Sequence, residues 1–204
     1  MPDLFADKAA DFDQRPVPAQ ISAGVTAAMR ARLALSPELV VMDFGAGTGL
    51  VAAKLAPLVG RILAVDVSPA MLEQLAAKPE LAGKVEIHCQ DLLERPLGVR
   101  VDLVVSAMAM HHVADTAALL RVLAAHLRPG GQVALADLDR EDGSFHPPGT
   151  EGVYHAGFDR AELGALLLAA GFVDPSFETA CVVQRGGRSY PVFLVVATRQ
   201  GGEG

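Results

Sequence analysis

Val40-Val41-Met42-Asp43-Phe44-Gly45-Ala46-Gly47-Thr48-Gly49 decides how the rest of this chain is read. Its first half has the apolar pattern of a buried strand. Three glycines then fall within five residues, and a helical pattern starts at Leu50. Glycines at this spacing let the backbone turn sharply and approach a ligand with no Cβ in the way. A helix beginning there directs unpaired N–H groups and its positive dipole end at whatever occupies the loop.

The spacing departs from a dinucleotide fingerprint. Counted from Gly45, G-x-G-x-x-G asks for glycine or alanine at position 50, where Leu50 stands. The pattern is instead acid-x-G-x-G-x-G, with Asp43 two residues ahead of the first glycine. A second apolar strand, Arg61 to Asp66, ends in a carboxylate roughly 20 residues beyond the glycines, the offset at which an acid holds a ribose diol. Ser68-Pro69-Ala70-Met71 opens another helix, with Ser68 as N-cap and Pro69 at the first helical position. Lys84 to Cys89 reads as a third strand and runs into Gln90-Asp91-Leu92, which offers a further carboxylate at a strand's C-terminal end.

Together these residues resemble the class I S-adenosylmethionine-dependent methyltransferases, most closely the small-molecule branch that includes the quinone-biosynthesis enzymes. The resemblance runs from about Val40 to Ala197. It implies that Asp43, Gly45, Ala46, Gly47 and Gly49 lie beside the methionine end of S-adenosylmethionine. It also implies that Asp66 takes the ribose hydroxyls, that Val67 and Met71 pack the adenine, and that Asp91 with Leu92 meets the adenine amino group and ring.

Composition narrows the class. A chain of 204 residues suffices for one α/β domain with a buried core. Apolar residues make up 51%, yet no uninterrupted run approaches the roughly 18 to 20 residues that cross a bilayer. Met1 to Asp7 lacks the basic and apolar regions of a signal peptide, so the reading is a cytoplasmic protein with no membrane partner. The formal net charge of −7, with Lys and Arg scattered, argues against nucleic acid, and the absence of Trp argues against a base-stacking platform. Cys89 and Cys181 fall in expected strands and are read as buried inert thiols; they make no metal site.

Strand-like and helix-like segments alternate, which predicts helices on both faces of a parallel sheet. Helices are expected over 19–35, 49–58, 69–78, 115–127 and 159–170, and further strands over 101–106 and 132–137. Arg128-Pro129-Gly130-Gly131 reads as a helix stop. Thr179 to Gln184 and Pro191 to Thr198 close the chain as strands, with Gly186-Gly187 as a hairpin signal. The expected fold is α/β: a Rossmann-like, doubly wound, mostly parallel seven-stranded sheet with a C-terminal antiparallel hairpin. Residues 1–204 form one domain, with a loose arm over 1–18, a substrate-side loop over 140–157 and a disordered tail over 200–204.

Ligands of open α/β sheets bind outside the C-terminal strand ends. The 101–106 strand leads into Ser106-Ala107-Met108-Ala109-Met110-His111-His112. Ser106 and Met108 are expected to line the cofactor and acceptor, and His111 or His112 is a candidate general base. The plainer role for either histidine is a backbone hydrogen bond that holds the loop. Adjacent histidines do not readily face one point, so a chelating pair is not expected. This strand end lacks the Asn/Asp-Pro-Pro-Tyr/Phe motif of amine-methylating DNA enzymes and a Pro-Cys nucleophile, which disfavours base methylation.

His146 and His155 in the long loop are read as substrate-wall residues, as against solvated surface histidines. Ala10-Asp11-Phe12-Asp13 resembles the short aromatic-acid element that closes over the cofactor in small-molecule methyltransferases, with Phe12 as its aromatic. The function read from all this is methyl transfer from S-adenosylmethionine to a small molecule by in-line displacement, carried mainly by positioning. A non-catalytic scaffold or sensor that binds the same cofactor is the alternative. A nicotinamide oxidoreductase is disfavoured by Leu50. The sequence leaves acceptor atom and oligomeric state open.

Overall fold

A computed structural model describes residues 3–201. Seven strands form one sheet: β1 (Val40–Phe44), β2 (Arg61–Asp66), β3 (Val85–Cys89), β4 (Val101–Ala107), β5 (Leu127–Leu138), β6 (Phe172–Arg185) and β7 (Arg188–Arg199). Their spatial order is β3-β2-β1-β4-β5-β7-β6. Neighbours from β3 to β5 are parallel, and β7 pairs antiparallel with both β5 and β6. The expected architecture is present, terminal hairpin included. Its turn, Gly186-Gly187, has φ of 57° and 76°, the doubly positive backbone that matches the strand twist of a two-residue hairpin.

Period-two alternation distributes the core over two faces. From β1, Val41 packs toward α2 (Pro16–Arg32) and α3 (Leu50–Leu55), while Met42 and Phe44 face α5 (Thr116–His126) and α6 (Arg160–Ala169). Leu119, Leu120 and Leu123 of α5 are fully buried, the stripe their spacing predicts. Ser68 caps α4 (Pro69–Ala76) by accepting from Met71 N, and Asp115 and Asp159 cap α5 and α6.

Several expectations are corrected. Helix α2 starts at Pro16 and ends at Arg32, not 19–35. Strand β5 begins at Leu127, which pairs with Val101; Arg128 to Gly131 bulge from the ladder, and pairing resumes at Gln132 beside Leu103. Within the 1–18 arm the described residues, from Asp3 on, are folded: a short helix α1 (Ala6–Ala9) packs on α4, and a 3-10 turn (Phe12–Gln14) leads into α2. In the 200–204 tail, Gln200 donates to the Gly171 carbonyl, and residues 202–204 lie outside the described residues. Cys89 is exposed and Cys181 half-buried, so neither is a core thiol; partial burial pushes the Cys181 thiol up. No helix among the described residues is long and apolar enough to cross a membrane.

Candidate active site

The chain runs outward from β1 to β3 and then returns to β4, which leaves a crevice above the C-terminal ends of β1 and β4. The glycine loop sits there. Gly45, Gly47 and Gly49 all have positive φ. A Cβ on Gly45 would lie 2.2 Å from the Ala109 Cβ, so this glycine lets the loop after β4 close against β1. At Gly47 a Cβ would meet nothing within 4 Å, and this is the glycine that opens on the crevice.

Four of the loop's amides are engaged within the protein. Gly45 N and Ala46 N both donate to the Val65 carbonyl, at 2.8 and 3.1 Å, and Gly49 N donates to the Ala46 carbonyl. Gly47 N donates to Asp66 Oδ2 at 2.7 Å. Strand β2 therefore anchors the loop, and what the loop offers a ligand is space bordered by carboxylates. Asp66 also accepts from Ser68 N through Oδ1 at 2.9 Å, so it braces the turn into α4 as well as the glycine loop. Burial raises its pKa against these hydrogen bonds.

Asp43 is the singular group. It is 1% exposed, and its Oδ2 has no partner among the described residues. Burial, reinforced by the Asp66 charge, pushes its pKa up to about 8. A buried carboxylate without a counter-charge is costly, and a cation in the crevice would relieve it. The ammonium group and sulfonium of S-adenosylmethionine supply positive charge of that kind, so the residues present fit this cofactor. Of the apolar residues expected around the adenine, Val67 is 57% exposed, whereas Met71 and Leu92 are buried in the protein. Asp91 accepts from Leu93 N at 2.8 Å, which fixes its carboxylate at the end of β3.

Ser106 is corrected. It is fully buried and its hydroxyl donates to the Phe44 carbonyl at 2.8 Å, tying β4 to β1 where a cofactor contact was expected. Met108 has φ of 59°, a left-handed backbone uncommon for a non-glycine residue and typical of functional strand ends. Its N–H donates to the Ala136 carbonyl, which holds that turn.

Three histidines, His111, His112 and His146, converge in space. His111 and His112 have ring centroids 4.1 Å apart. His111 is 1% exposed; its Nδ1 lies 2.7 Å from Asp137 Oδ1, and its backbone N–H donates to Asp137 Oδ2. His146 Nε2 lies 3.2 Å from His111 Nε2. His112 has the plainer role: its Nδ1 donates to the Gly152 carbonyl at 2.7 Å and holds the 140–157 loop. Burial and the neighbouring His111 lower its pKa to about 4.

His155 is corrected too. Its Nε2 reaches the Val113 carbonyl at 3.0 Å, and its ring stacks on Phe158, so it latches the loop to the start of α5 and is no wall residue. Phe12 meets no aromatic ring among the described residues; the arm residue that faces the histidines is Phe5, edge-on to His112 at 5.2 Å. Sequence reading missed Phe5 and the Asp137 pairing. The apolar pair Leu4-Phe5 inside an otherwise polar segment was the available signal for the first. No group of His, Cys, Asp and Glu among the described residues is arranged to hold a metal ion.

Comparison with known proteins agrees with this architecture. Residues 41–131 match a family described as a methyltransferase domain. The ubiquinone biosynthesis O-methyltransferase of Methylobacterium sp. (strain 4-46) is 34% identical over 117 residues, which are 54% of this chain and 47% of that protein. The chain thus spans about half the length of the curated relatives it matches. The structure of DhpI in complex with SAH superposes with a TM-score of 0.76 at 25% identity, covering 98% of this chain and 96% of that one. The N-methyltransferase NodS from Bradyrhizobium japonicum, solved with S-adenosyl-L-homocysteine, shares the fold at 17% identity, with a TM-score of 0.72 over 98% of this chain and 95% of its own. Motif, sheet order and relatives agree: residues 41–131 match a methyltransferase domain, and the chain is similar along its length to class I S-adenosylmethionine-dependent methyltransferases.

Proposed function

We propose that this chain binds S-adenosylmethionine in the crevice above β1 and β4 and transfers its methyl group to a small-molecule acceptor. The observation that carries the reading is the buried Asp43 carboxylate, whose Oδ2 has no partner among the described residues, near an open Gly47 and Asp66. The bound cofactor supplies an already activated methyl carbon. The protein's part is to orient and to exclude water. Asp43 borders the cationic end, Asp66 takes the ribose hydroxyls, Asp91 stands at the adenine rim, and the loop after β4 borders the acceptor side. The arm and the 140–157 loop meet over the crevice, where Leu4 lies against Gly152 and Phe5 against His112. The ubiquinone biosynthesis O-methyltransferase relatives support a small acceptor. Calorimetry should show S-adenosylhomocysteine binding and no NADH binding. Binding of NADH without S-adenosylhomocysteine would reject this reading.

A further inference from the structure

His111 and Asp137 are both buried beneath the acceptor side, and positioning alone gives a buried histidine–carboxylate pair there no task. The hydrogen-bond pattern assigns one. Asp137 accepts three N–H groups, from His111 Nδ1, His111 N and Leu138 N. A carboxylate accepts only, so the His111 ring proton sits on Nδ1 and its Nε2 carries a lone pair. The partner of that lone pair is His146 Nε2 at 3.2 Å, which must then carry the proton. His146 Nδ1 is left unprotonated, with no partner among the described residues.

We infer that Asp137, His111 and His146 form a proton relay in which His146 Nδ1 is the base facing the acceptor, and that the acceptor bears a hydroxyl. This rests on the methyl-transfer reading above. In the step, the hydroxyl proton passes to His146 Nδ1 and the Nε2 proton of His146 passes to His111 Nε2. The acceptor oxygen's electron pair forms the bond to the methyl carbon as the carbon–sulfur bond breaks, its pair remaining on sulfur. The imidazolium at His111 is then neutralised by Asp137, and the proton leaves through half-buried His146 after product release. His111 and Asp137 act through His146 and are positioning residues.

The charged and titratable groups facing His146 are His111, His112, Arg185 of β6 and Lys8 of α1; with burial they hold its pKa near 4, which leaves Nδ1 free at neutral pH. His111→Asn would therefore disturb the base only indirectly, and His146 is the residue to watch.

The test is nitrogen-15 NMR of the histidine rings in the full chain with S-adenosylhomocysteine bound, with His146→Gln providing the assignment. Expected are a proton on His111 Nδ1, a proton on His146 Nε2, a bare His146 Nδ1, and a coupling across the hydrogen bond between the two Nε2 atoms. Phenol, which donates an O–H, should shift the His146 Nδ1 resonance; anisole, its methylated counterpart, should not. A proton on His146 Nδ1, absence of the Nε2–Nε2 coupling, or equal responses to phenol and anisole would overturn the relay. Calorimetry separates the two readings: failure to bind S-adenosylhomocysteine rejects the cofactor assignment, whereas binding with the wrong tautomers rejects the relay alone.

Discussion

Asp66 shows how one side chain acquires two duties. The offset from the glycines marked it for a ribose diol, and that contact is still open to it, because each carboxylate oxygen has a second lone pair. The backbone bonds to Gly47 and Ser68 were not legible, since they depend on how the loop folds back over β2. Asp66→Ala should therefore remove the ligand contact and loosen the glycine loop together. Hydrogen bonds to a charged group contribute about 1.5 to 3 kcal/mol each, so S-adenosylhomocysteine affinity should fall by about a hundredfold or more. Asp91→Ala, which removes a rim contact and the brace on Leu93, should cost about tenfold. Titration calorimetry that finds equal losses would reject this placement. The histidines teach the same lesson. His111 and Asp137 stand 26 positions apart, and only the register of β5 beside β4 brings them to 2.7 Å.

At the scale of elements, the strands β1, β2 and β4 were readable because both faces are buried and the apolar run is continuous. The ends of β5, β6 and β7 were not: their ladders continue through exposed polar residues, and a Pro-Gly-Gly segment resembles a stop. The arm was the largest misreading. Its residues are polar and look loose, yet two carboxylates fasten it. Asp3 accepts from Ser68 Oγ at 2.8 Å and from Ala70 N at the positive end of α4. Asp13 accepts from Thr48 Oγ1 at 2.5 Å and pairs with Lys78 at 2.6 Å. The arm thus joins the glycine loop and α4 to the 140–157 loop. Three hydrogen bonds of about 1 kcal/mol each, plus a partly exposed ion pair worth at most about 1 kcal/mol, hold it shut. In the Asp3→Ala/Asp13→Ala double variant, S-adenosylhomocysteine should dissociate about tenfold to thirtyfold faster in stopped flow, with an unchanged fold by circular dichroism. An unaltered dissociation rate would mean that the arm does not gate the crevice.

For the molecule as a whole, the buried site predicts a pH signature of stability. Asp43 has a folded pKa of about 8, raised from 3.8, and Asp66 is raised too. Such groups contribute stability that is fully present below the unfolded pKa and is lost as pH rises through the folded value. His112 and His146, both lowered from 6.5 to about 4, work the other way: burial keeps them neutral, and stability is lost as pH falls below about 6.5. The two effects oppose each other under acid conditions. Between about pH 6.5 and pH 8 the histidines are neutral in both states, and only the carboxylates act. The melting temperature of the ligand-free protein should therefore fall across that window. A ligand ammonium group beside Asp43 favours the ionised carboxylate and removes the cause, so with saturating S-adenosylhomocysteine, which carries that group, the curve should flatten. The ligand's stabilising effect should accordingly be larger at pH 7.5 than at pH 6.5. Differential scanning calorimetry that shows a flat or rising ligand-free curve, or a larger ligand effect at the lower pH, would mean that Asp43 is already compensated within the protein and that the cation-binding reading of the crevice is wrong.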